Sequence, residues 1–272
     1  MSFSQNTDTN IVEFENSLFF HITNKDNDKL IVYLHGGLSN PYFKENQNEV
    51  ELNELLENNN EFINYTTANN FDVLLPVTND DLNWITDPER CFITFKKFLD
   101  QNDKKYSKTF ISGFSDGGTG SYKIFYSSPE YFSGLIVFNG YPYHRNFAVD
   151  VDYTTVQDKK IMFFGTKKDK VIHYEFMLTE YCKQKTTNPD TYIYLTEGGH
   201  SFEHYGKKEF AILFDILSAE NDNTKMTPIH GYIRKDSLIT FYEFRKEIVR
   251  KYGFGAEYYK INKEQKARYK GK

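Results

Sequence analysis

Three polar residues that follow apolar segments could together carry out nucleophilic catalysis: Ser115, Asp169 and His200. A serine hydroxyl is a weak nucleophile at neutral pH, so an imidazole must accept its proton during the attack. A carboxylate must then fix the tautomer of that ring and stabilise the imidazolium that forms. These residue types therefore predict a nucleophile, a general base and an orienting acid within one site.

The serine lies in the pentapeptide from Gly113 to Gly117, which has the pattern Gly-x-Ser-x-Gly. Residues 108–112 read as a short buried strand, and residues 121–127 carry a helical pattern of apolar positions. The pentapeptide thus predicts a sharp strand-to-helix turn that exposes the hydroxyl. Glycines are expected on both sides because a Cβ there would collide with the neighbouring strand and helix. Without this context, the pentapeptide could be an ordinary glycine-rich turn.

The acid and the base each follow a predicted strand. Asp169 comes after the apolar residues 161–164, and His200 comes after residues 191–195 and two glycines that would let its loop turn back over the sheet edge. Asp169 also lies among lysines and could be a solvated turn residue. The weaker alternatives are Glu180 and Asp190 for the acid, and His144, His173 and His204 for the base.

A fourth motif, His35-Gly36-Gly37-Leu38, follows the predicted strand 30–34. Acyl transfer needs backbone N–H groups directed at the developing oxyanion. We expect one of these donors to be the N–H of Asp116, the residue after the nucleophile, and the other to be that of Gly37, with Leu38 as the alternative. His35 is expected to brace this loop.

The four motifs, in this order and each at the end of a predicted strand, resemble those of α/β-hydrolase-fold serine esterases. The resemblance covers most of the chain, and it implies a mostly parallel, doubly wound sheet with helices on both faces. It also implies a Ser115, Asp169 and His200 triad that cleaves carboxylic esters through an acyl-enzyme, with no metal or organic cofactor. Leu38 departs from the three-glycine motif of lipases, which leaves the second oxyanion donor open.

Two other functions are compatible with the same motifs. A serine peptidase or a thioesterase would use the same parts, since a fold does not fix the leaving group. A non-catalytic ligand-binding protein could also keep this fold. Slow hydrolysis without a burst would favour that last alternative.

Alternating strand and helix patterns along the rest of the sequence support this fold class. The predicted strands are 11–14 and 18–23 as an antiparallel pair, then 30–34, 71–76, 108–112, 134–138, 161–164 and 191–195; the predicted helices are 49–56, 62–68, 87–99, 121–127, 174–183 and 203–217. Residues 1–222 would form one core domain. Residues 223–272 would be an appended segment, whose amphipathic helix 237–252 could pack on the core or against a second subunit as a homodimer.

The substrate pocket is predicted less specifically than the catalytic residues. Only a short segment separates residues 138 and 159, where related folds often insert a lid, so no large lid domain is expected. An open site would admit a small-molecule or a polymeric ester. We expect Leu38, Trp84 and Tyr141 to bind substrate, although in a chain with 17% aromatic residues such side chains can equally be core residues.

Composition bears on partners and location. The 272-residue chain has a net charge of −5, which gives no reason to expect nucleic acid or an anionic membrane as a partner. Cys91 and Cys182 lie far apart and do not form a disulfide framework. Neither a secretory leader nor a membrane-spanning segment is recognisable. A cytoplasmic location is therefore expected.

Overall fold

The computed structural model describes residues 7–37, 49–79, 82–142 and 152–219 of the chain. The strands in these ranges are β1 (Thr7–Phe14), β2 (Ser17–Asn24), β3 (Lys29–Leu34), β4 (Phe71–Val77), β5 (Lys108–Phe114), β6 (Gly134–Phe138), β7 (Lys160–Thr166) and β8 (Thr191–Thr196). The α-helices are α1 (Glu49–Ala68), α2 (Pro88–Gln101), α3 (Asp116–Ser127), α4 (Tyr174–Lys185) and α5 (Lys207–Ser218).

The strands form one twisted sheet in the order β1-β2-β4-β3-β5-β6-β7-β8. β1 and β2 pair antiparallel, as the sequence predicts, and β2 also runs antiparallel to β4. The strands from β4 through β8 in this order are parallel to their neighbours. The predicted fold class, an α/β protein with a mostly parallel doubly wound sheet, is confirmed.

Helices cover both faces of the sheet and create two hydrophobic cores. Residues of α2, α3 and α4 pack on one face, and residues of α1 and α5 pack on the other. Along β3, Leu30 and Val32 belong to the first core, whereas Ile31 and Tyr33 belong to the second. Because these strands are buried on both sides, they read in the sequence as continuous apolar runs.

The topology places the candidate motifs together. From β3 the chain passes to β4 on one side of it and later to β5 on the other, so β3 and β5 form a switch point in the strand order. In open α/β sheets the crevice for ligands lies at the carboxyl ends of the strands at such a point. The loop that starts with His35 and the turn at Ser115 leave these two strand ends.

Four predicted helices differ from the structure by more than two residues at a boundary. Residues 49–56 and 62–68 belong to one helix, because the polar residues between them include no glycine or proline and Asn59 is buried with its side-chain amide donating to the Leu55 carbonyl at 2.8 Å. The helix α3 begins directly after Ser115. The helix α5 begins at Lys207, since Gly206 caps it.

Several predictions fall outside the described residues. These include the appended segment 223–272 with its helix 237–252, and also Leu38 and His144. The described part of the connection between β6 and β7 contains a short 3-10 helix, Tyr153–Val156, and no large lid is evident there. Among the helices of the described ranges, none is both long and apolar enough to cross a membrane.

Candidate active site

Ser115 lies at a strained turn between β5 and α3. Its φ of 56° is in the left-handed region, which a residue with a side chain rarely adopts. The flanking glycines make this turn feasible: a Cβ on Gly113 would lie 2.3 Å from the carbonyl oxygen of Gly117, and a Cβ on Gly117 would lie 1.9 Å from that of Leu34. The predicted close approach of strand and helix is therefore present.

The structure brings together Ser115, Asp169 and His200, each from a different loop at the carboxyl edge of the sheet. Ser115 Oγ lies 2.8 Å from His200 Nε2, and His200 Nδ1 lies 2.7 Å from Asp169 Oδ2. Because a carboxylate accepts only, Nδ1 carries the proton and Nε2 is left to accept the serine proton. This is the tautomer that a general base needs.

The Asp169 carboxylate is buried, 3% exposed, yet remains ionised. Burial alone would raise its pKa, but hydrogen bonds from His200 and from the backbone N–H groups of Ile172 and Val171 hold the pKa below its ordinary value. Those two backbone groups donate to Oδ1 at 2.8 and 2.7 Å. The carboxylate is thus fixed in position and keeps its charge through the neutral pH range.

Asn139 completes the arrangement and was not predicted from the sequence. It is fully buried just after β6, and its amide donates to Asp169 Oδ2 and to Thr166 Oγ1, the latter at 2.9 Å. Its carbonyl oxygen accepts a hydrogen bond from the Tyr205 hydroxyl. Asn139 has a φ of 43°, which asparagine tolerates better than most residues. Asn139 directly follows a predicted strand, and this position is the sequence signal that could have identified it as a residue of the site.

We predict that Asn139→Ala lowers kcat for the proposed hydrolysis about tenfold, because Asp169 loses one of the donors that orient it. The free energy of unfolding should fall by about 1 to 3 kcal/mol, since buried partners are left unpaired. A matched control is Asn188→Ala, which removes an equally buried amide that donates to the Val156 and Lys159 carbonyls, far from Ser115 in the fold. Equal losses of kcat in both variants, measured alongside urea denaturation, would refute a positioning role for Asn139.

His35 holds the loop after β3 in place. Its Nε2 accepts from the Thr78 backbone N–H at 3.3 Å, so Nδ1 carries the proton and donates to the Gly36 carbonyl at 2.9 Å. In a trans peptide the carbonyl and the following N–H point in opposite directions, so the N–H of Gly37 points away from the imidazole. A Cβ on Gly36 would lie 3.0 Å from that of Ser115, which places this loop beside the candidate nucleophile.

Burial lowers the pKa of His35 from its ordinary value of 6.5 to about 4, so the imidazole is neutral at neutral pH. The unfolded chain therefore takes up a proton between pH 6.5 and about 4 that the folded chain does not, and stability must fall as the pH falls through this window. The loss from this residue reaches about 3 kcal/mol near pH 4.

His35→Gln should remove this part of the pH dependence. We expect the wild-type free energy of unfolding to drop between pH 7 and pH 4.5 by about 2 to 3 kcal/mol more than that of the variant, measured by chemical denaturation at both pH values. The exposed His204 supplies a control, His204→Gln, which should keep the wild-type dependence. Parallel losses in wild type and His35→Gln would contradict a buried, neutral imidazole.

A cavity of about 550 Å³ adjoins the candidate catalytic residues. Gly36, Phe114 and His200 line the end of it that is next to Ser115. The rest of its wall comes from α1, the 3-10 helix Phe202–His204 and the start of α5. Sequence reasoning missed this wall, because it depends on which helix faces turn toward the crevice.

Trp84 and Tyr141, the two predicted substrate-binding residues that the structure describes, do not line this cavity. Trp84 is completely buried beneath the loop that follows β3, with its ring edge-on to His35 at 4.9 Å and against Gly120, where a Cβ would meet it at 2.4 Å. The ring supports the loop from the core side. Tyr141 follows β6 but is 6% exposed and stacks on Phe176 at 5.5 Å. Leu38 lies outside the described residues.

The alternative acids and bases occupy other positions. Glu180 is buried in α4, where it accepts from the Tyr122 hydroxyl at 3.2 Å and pairs with Lys183. Asp190 precedes β8, at the opposite end of the strand from His200. His173 caps the start of α4. Within the described ranges, no three His, Cys, Asp or Glu residues are grouped so that they could hold a metal ion.

Comparison with solved structures identifies the fold. An esterase of Pyrococcus furiosus is similar with a TM-score of 0.58 at 14% identity, over 78% of this chain and 91% of that chain. A predicted CIB-like hydrolase of Thermoplasma acidophilum gives 0.55 at 15% identity, over 78% and 97%. An acylaminoacyl peptidase of Pyrococcus horikoshii gives 0.55 at 13% identity, over 79% of this chain but 41% of that one. No family model and no curated protein matches the sequence. The predicted α/β-hydrolase fold is confirmed.

Proposed function

We propose that this chain of α/β-hydrolase fold is a serine hydrolase that cleaves carboxylic esters through an acyl-enzyme. The observation that carries the proposal is the continuous hydrogen-bonded chain from Ser115 Oγ through the His200 ring to Asp169, with distances of 2.8 and 2.7 Å. A strained turn at the serine, an imidazole whose Nε2 is free to accept a proton, and a buried carboxylate that orients the imidazole occur together in catalytic triads. A serine with only a structural role does not require this combination.

In the first half of the reaction, Ser115 Oγ attacks the ester carbonyl carbon while its proton passes to His200 Nε2. The carbonyl oxygen becomes an oxyanion, and we assign its stabilisation to the backbone N–H groups of Gly37 and Asp116. Asp116 opens α3, so the positive end of the helix dipole adds to this stabilisation. The carbon–oxygen bond to the alcohol then breaks, and His200 returns the proton to the departing oxygen.

In the second half, a water molecule takes the place of the alcohol. His200 Nε2 accepts a proton from that water as its oxygen attacks the acyl carbon, and the proton then goes to Ser115 Oγ as the acyl–serine bond breaks. The products are a carboxylic acid and the free enzyme. Asp169 stays ionised throughout and stabilises the imidazolium in both halves.

The same residues could cleave an amide or a thioester, and one of the similar structures is an acylaminoacyl peptidase. Esters are favoured here because several of the similar structures are esterases. Matched ester, thioester and anilide substrates with one acyl group would rank these activities by kcat/KM.

Labelling with a fluorophosphonate probe tests the proposal, with a series of p-nitrophenyl esters of increasing acyl length measured alongside. The proposal predicts stoichiometric labelling of the wild type, ester turnover, and neither of these in Ser115→Ala. Absence of both labelling and turnover in the folded wild type would overturn it and favour a non-catalytic binding function.

A further inference from the structure

Three glutamates line the cavity beside the catalytic residues. Glu57 and Glu61 lie one turn apart on α1, and Glu203 comes from the 3-10 helix that precedes α5. All three are exposed, and none forms an ion pair within the part of the chain that the structure describes. Like charges four residues apart on a helix disfavour the helix, so folding alone gives no reason for this pair.

The basic groups on the cavity wall do not offset this charge. Of the described residues that line the cavity, His35 and His200 alone are basic. His35 is neutral because burial lowers its pKa to about 4. His200 already has partners at both ring nitrogens. The cavity therefore carries a net negative potential on one side of the nucleophile.

Aromatic side chains form the inner wall of the same cavity. Phe62, Phe114 and Phe202 lie together there, with centroid distances of 5.9 Å between Phe62 and Phe202 and 5.4 Å between Phe114 and Phe202. The Phe114 ring in turn lies 5.1 Å from the His200 ring. Aromatic faces attract cations, and they do so most strongly where water is excluded.

Tyr33 adds a polar group to this wall. It is 1% exposed, lines the cavity from the end of β3, and packs on Phe62 and Phe202. Its hydroxyl forms no hydrogen bond with another described residue, and it is not one of the polar side-chain atoms that are completely buried without a partner, so it opens into the cavity. Burial of the residue holds its pKa well above its ordinary value. A hydroxyl that opens into a cavity can donate a hydrogen bond to an occupant or accept one from it. Tyr33 thus points independently to an occupant with polar or charged character.

We infer that this cavity binds a cationic alkylammonium group of the substrate, held between the aromatic wall and the Glu57, Glu61 and Glu203 carboxylates. The preferred substrates are then esters that carry a quaternary or protonated amine close to the scissile bond. The cation lies against the aromatic faces, and the carboxylates at the rim attract it before it enters. This inference specifies the substrate class of the proposed esterase, and the part of it that concerns binding can be tested without turnover.

Binding is measured first, with choline and its uncharged isostere 3,3-dimethylbutan-1-ol as the two probes, by titration calorimetry on the full chain. We expect choline to bind about tenfold or more tightly than the isostere at low salt, and the difference to shrink as ionic strength rises. The triple variant Glu57→Gln/Glu61→Gln/Glu203→Gln should lose the preference. Equal affinity of the wild type for the two probes, or tighter binding of the isostere, would overturn the inference whether or not the protein hydrolyses esters.

A matched control triple, Glu13→Gln/Glu54→Gln/Glu130→Gln, removes the same charge from exposed glutamates that do not line the cavity. It should keep the preference for choline. If both triples lose it equally, the effect comes from net charge and not from the cavity, and the inference fails.

Turnover then tests the substrate class. The first pair of substrates comprises the butyrate esters of choline and of its uncharged isostere 3,3-dimethylbutan-1-ol, which differ by a charge in the alcohol. The second pair comprises the p-nitrophenyl esters of 4-(trimethylammonio)butanoate and of its uncharged isostere 5,5-dimethylhexanoate, which differ by a charge in the acyl group. We expect kcat/KM to be about tenfold higher for the charged member of at least one pair, and the cavity triple to abolish that ratio. Ester turnover with no charge preference in either pair would refute the inference but leave the proposed function intact.

Discussion

Ser115→Ala should lower kcat for ester hydrolysis by about a millionfold, which is the largest effect expected of any single substitution. The alanine keeps the backbone turn but removes the atom that forms the acyl-enzyme. Some rate above the uncatalysed reaction should remain, because the oxyanion donors and the binding cavity are unchanged. Steady-state kinetics on the best p-nitrophenyl ester would measure the loss.

A double variant makes this prediction more specific, because the losses of kcat caused by Ser115→Ala and His200→Ala should not be additive in free energy. Ser115 and His200 act in one proton transfer, so Ser115→Ala/His200→Ala should be barely slower than either single variant. Ser127→Ala, which changes an exposed serine at the far end of the same helix, is the control and should keep wild-type activity. Losses that simply multiply in the double variant would show that the two residues do not act together.

Asp169→Asn should lower kcat by about ten-thousandfold with little change in the fold. The amide occupies the same space, but it can donate to His200 Nδ1 and so favours the tautomer in which Nε2 carries the proton. That imidazole cannot accept the proton of Ser115. The loss should appear in kcat more than in KM, because substrate binding does not depend on the tautomer.

Asp190→Asn tests the assignment of the acid. Asp190 is the alternative carboxylate from the sequence, and it lies before β8 with the Tyr192 hydroxyl at 3.3 Å. This variant should retain wild-type kcat. A large loss in Asp190→Asn together with a small one in Asp169→Asn would reverse the assignment, whatever the hydrogen bonds indicate.

The three residues of the candidate triad could be selected from the sequence because their signals are local. A glycine on each side of Ser115 reports a close approach of backbones, and Asp169 and His200 each follow an apolar run that ends at the same edge of a parallel sheet. Chain order and strand ends therefore suffice to bring these residues together. The same information gave the order of strands and helices and the antiparallel pair at the start.

Residues that depend on distant contacts could not be predicted in this way. Asn139 is joined to Thr166, Asp169 and Tyr205, which lie 27 to 66 positions away along the chain. Trp84 is buried because Gly120 leaves room for its ring, and a pattern of single residues does not reveal that. The sequence therefore suggested that Trp84 and Tyr141 line the pocket. In the structure, Phe62, Phe114 and Phe202 line it instead.

The continuity of α1 has a functional consequence. If the helix ended near residue 56, as its polar stretch suggests, Glu57 and Glu61 would not share one face. The unbroken helix instead presents both carboxylates to the cavity together with Phe62. The segment that is hardest to interpret from sequence is thus the one that gives the cavity its charge.

The most direct test of the central claim is to trap the acyl-enzyme and locate it. The wild type is mixed with a p-nitrophenyl ester, quenched in acid and analysed by mass spectrometry, first intact and then as tryptic peptides. We predict a mass increase of one acyl group on the peptide from Thr109 to Lys123, assigned to Ser115 and absent from Ser115→Ala. Ester turnover with the acyl group on another residue, or the same adduct in Ser115→Ala, would contradict the assignment of Ser115 as the nucleophile.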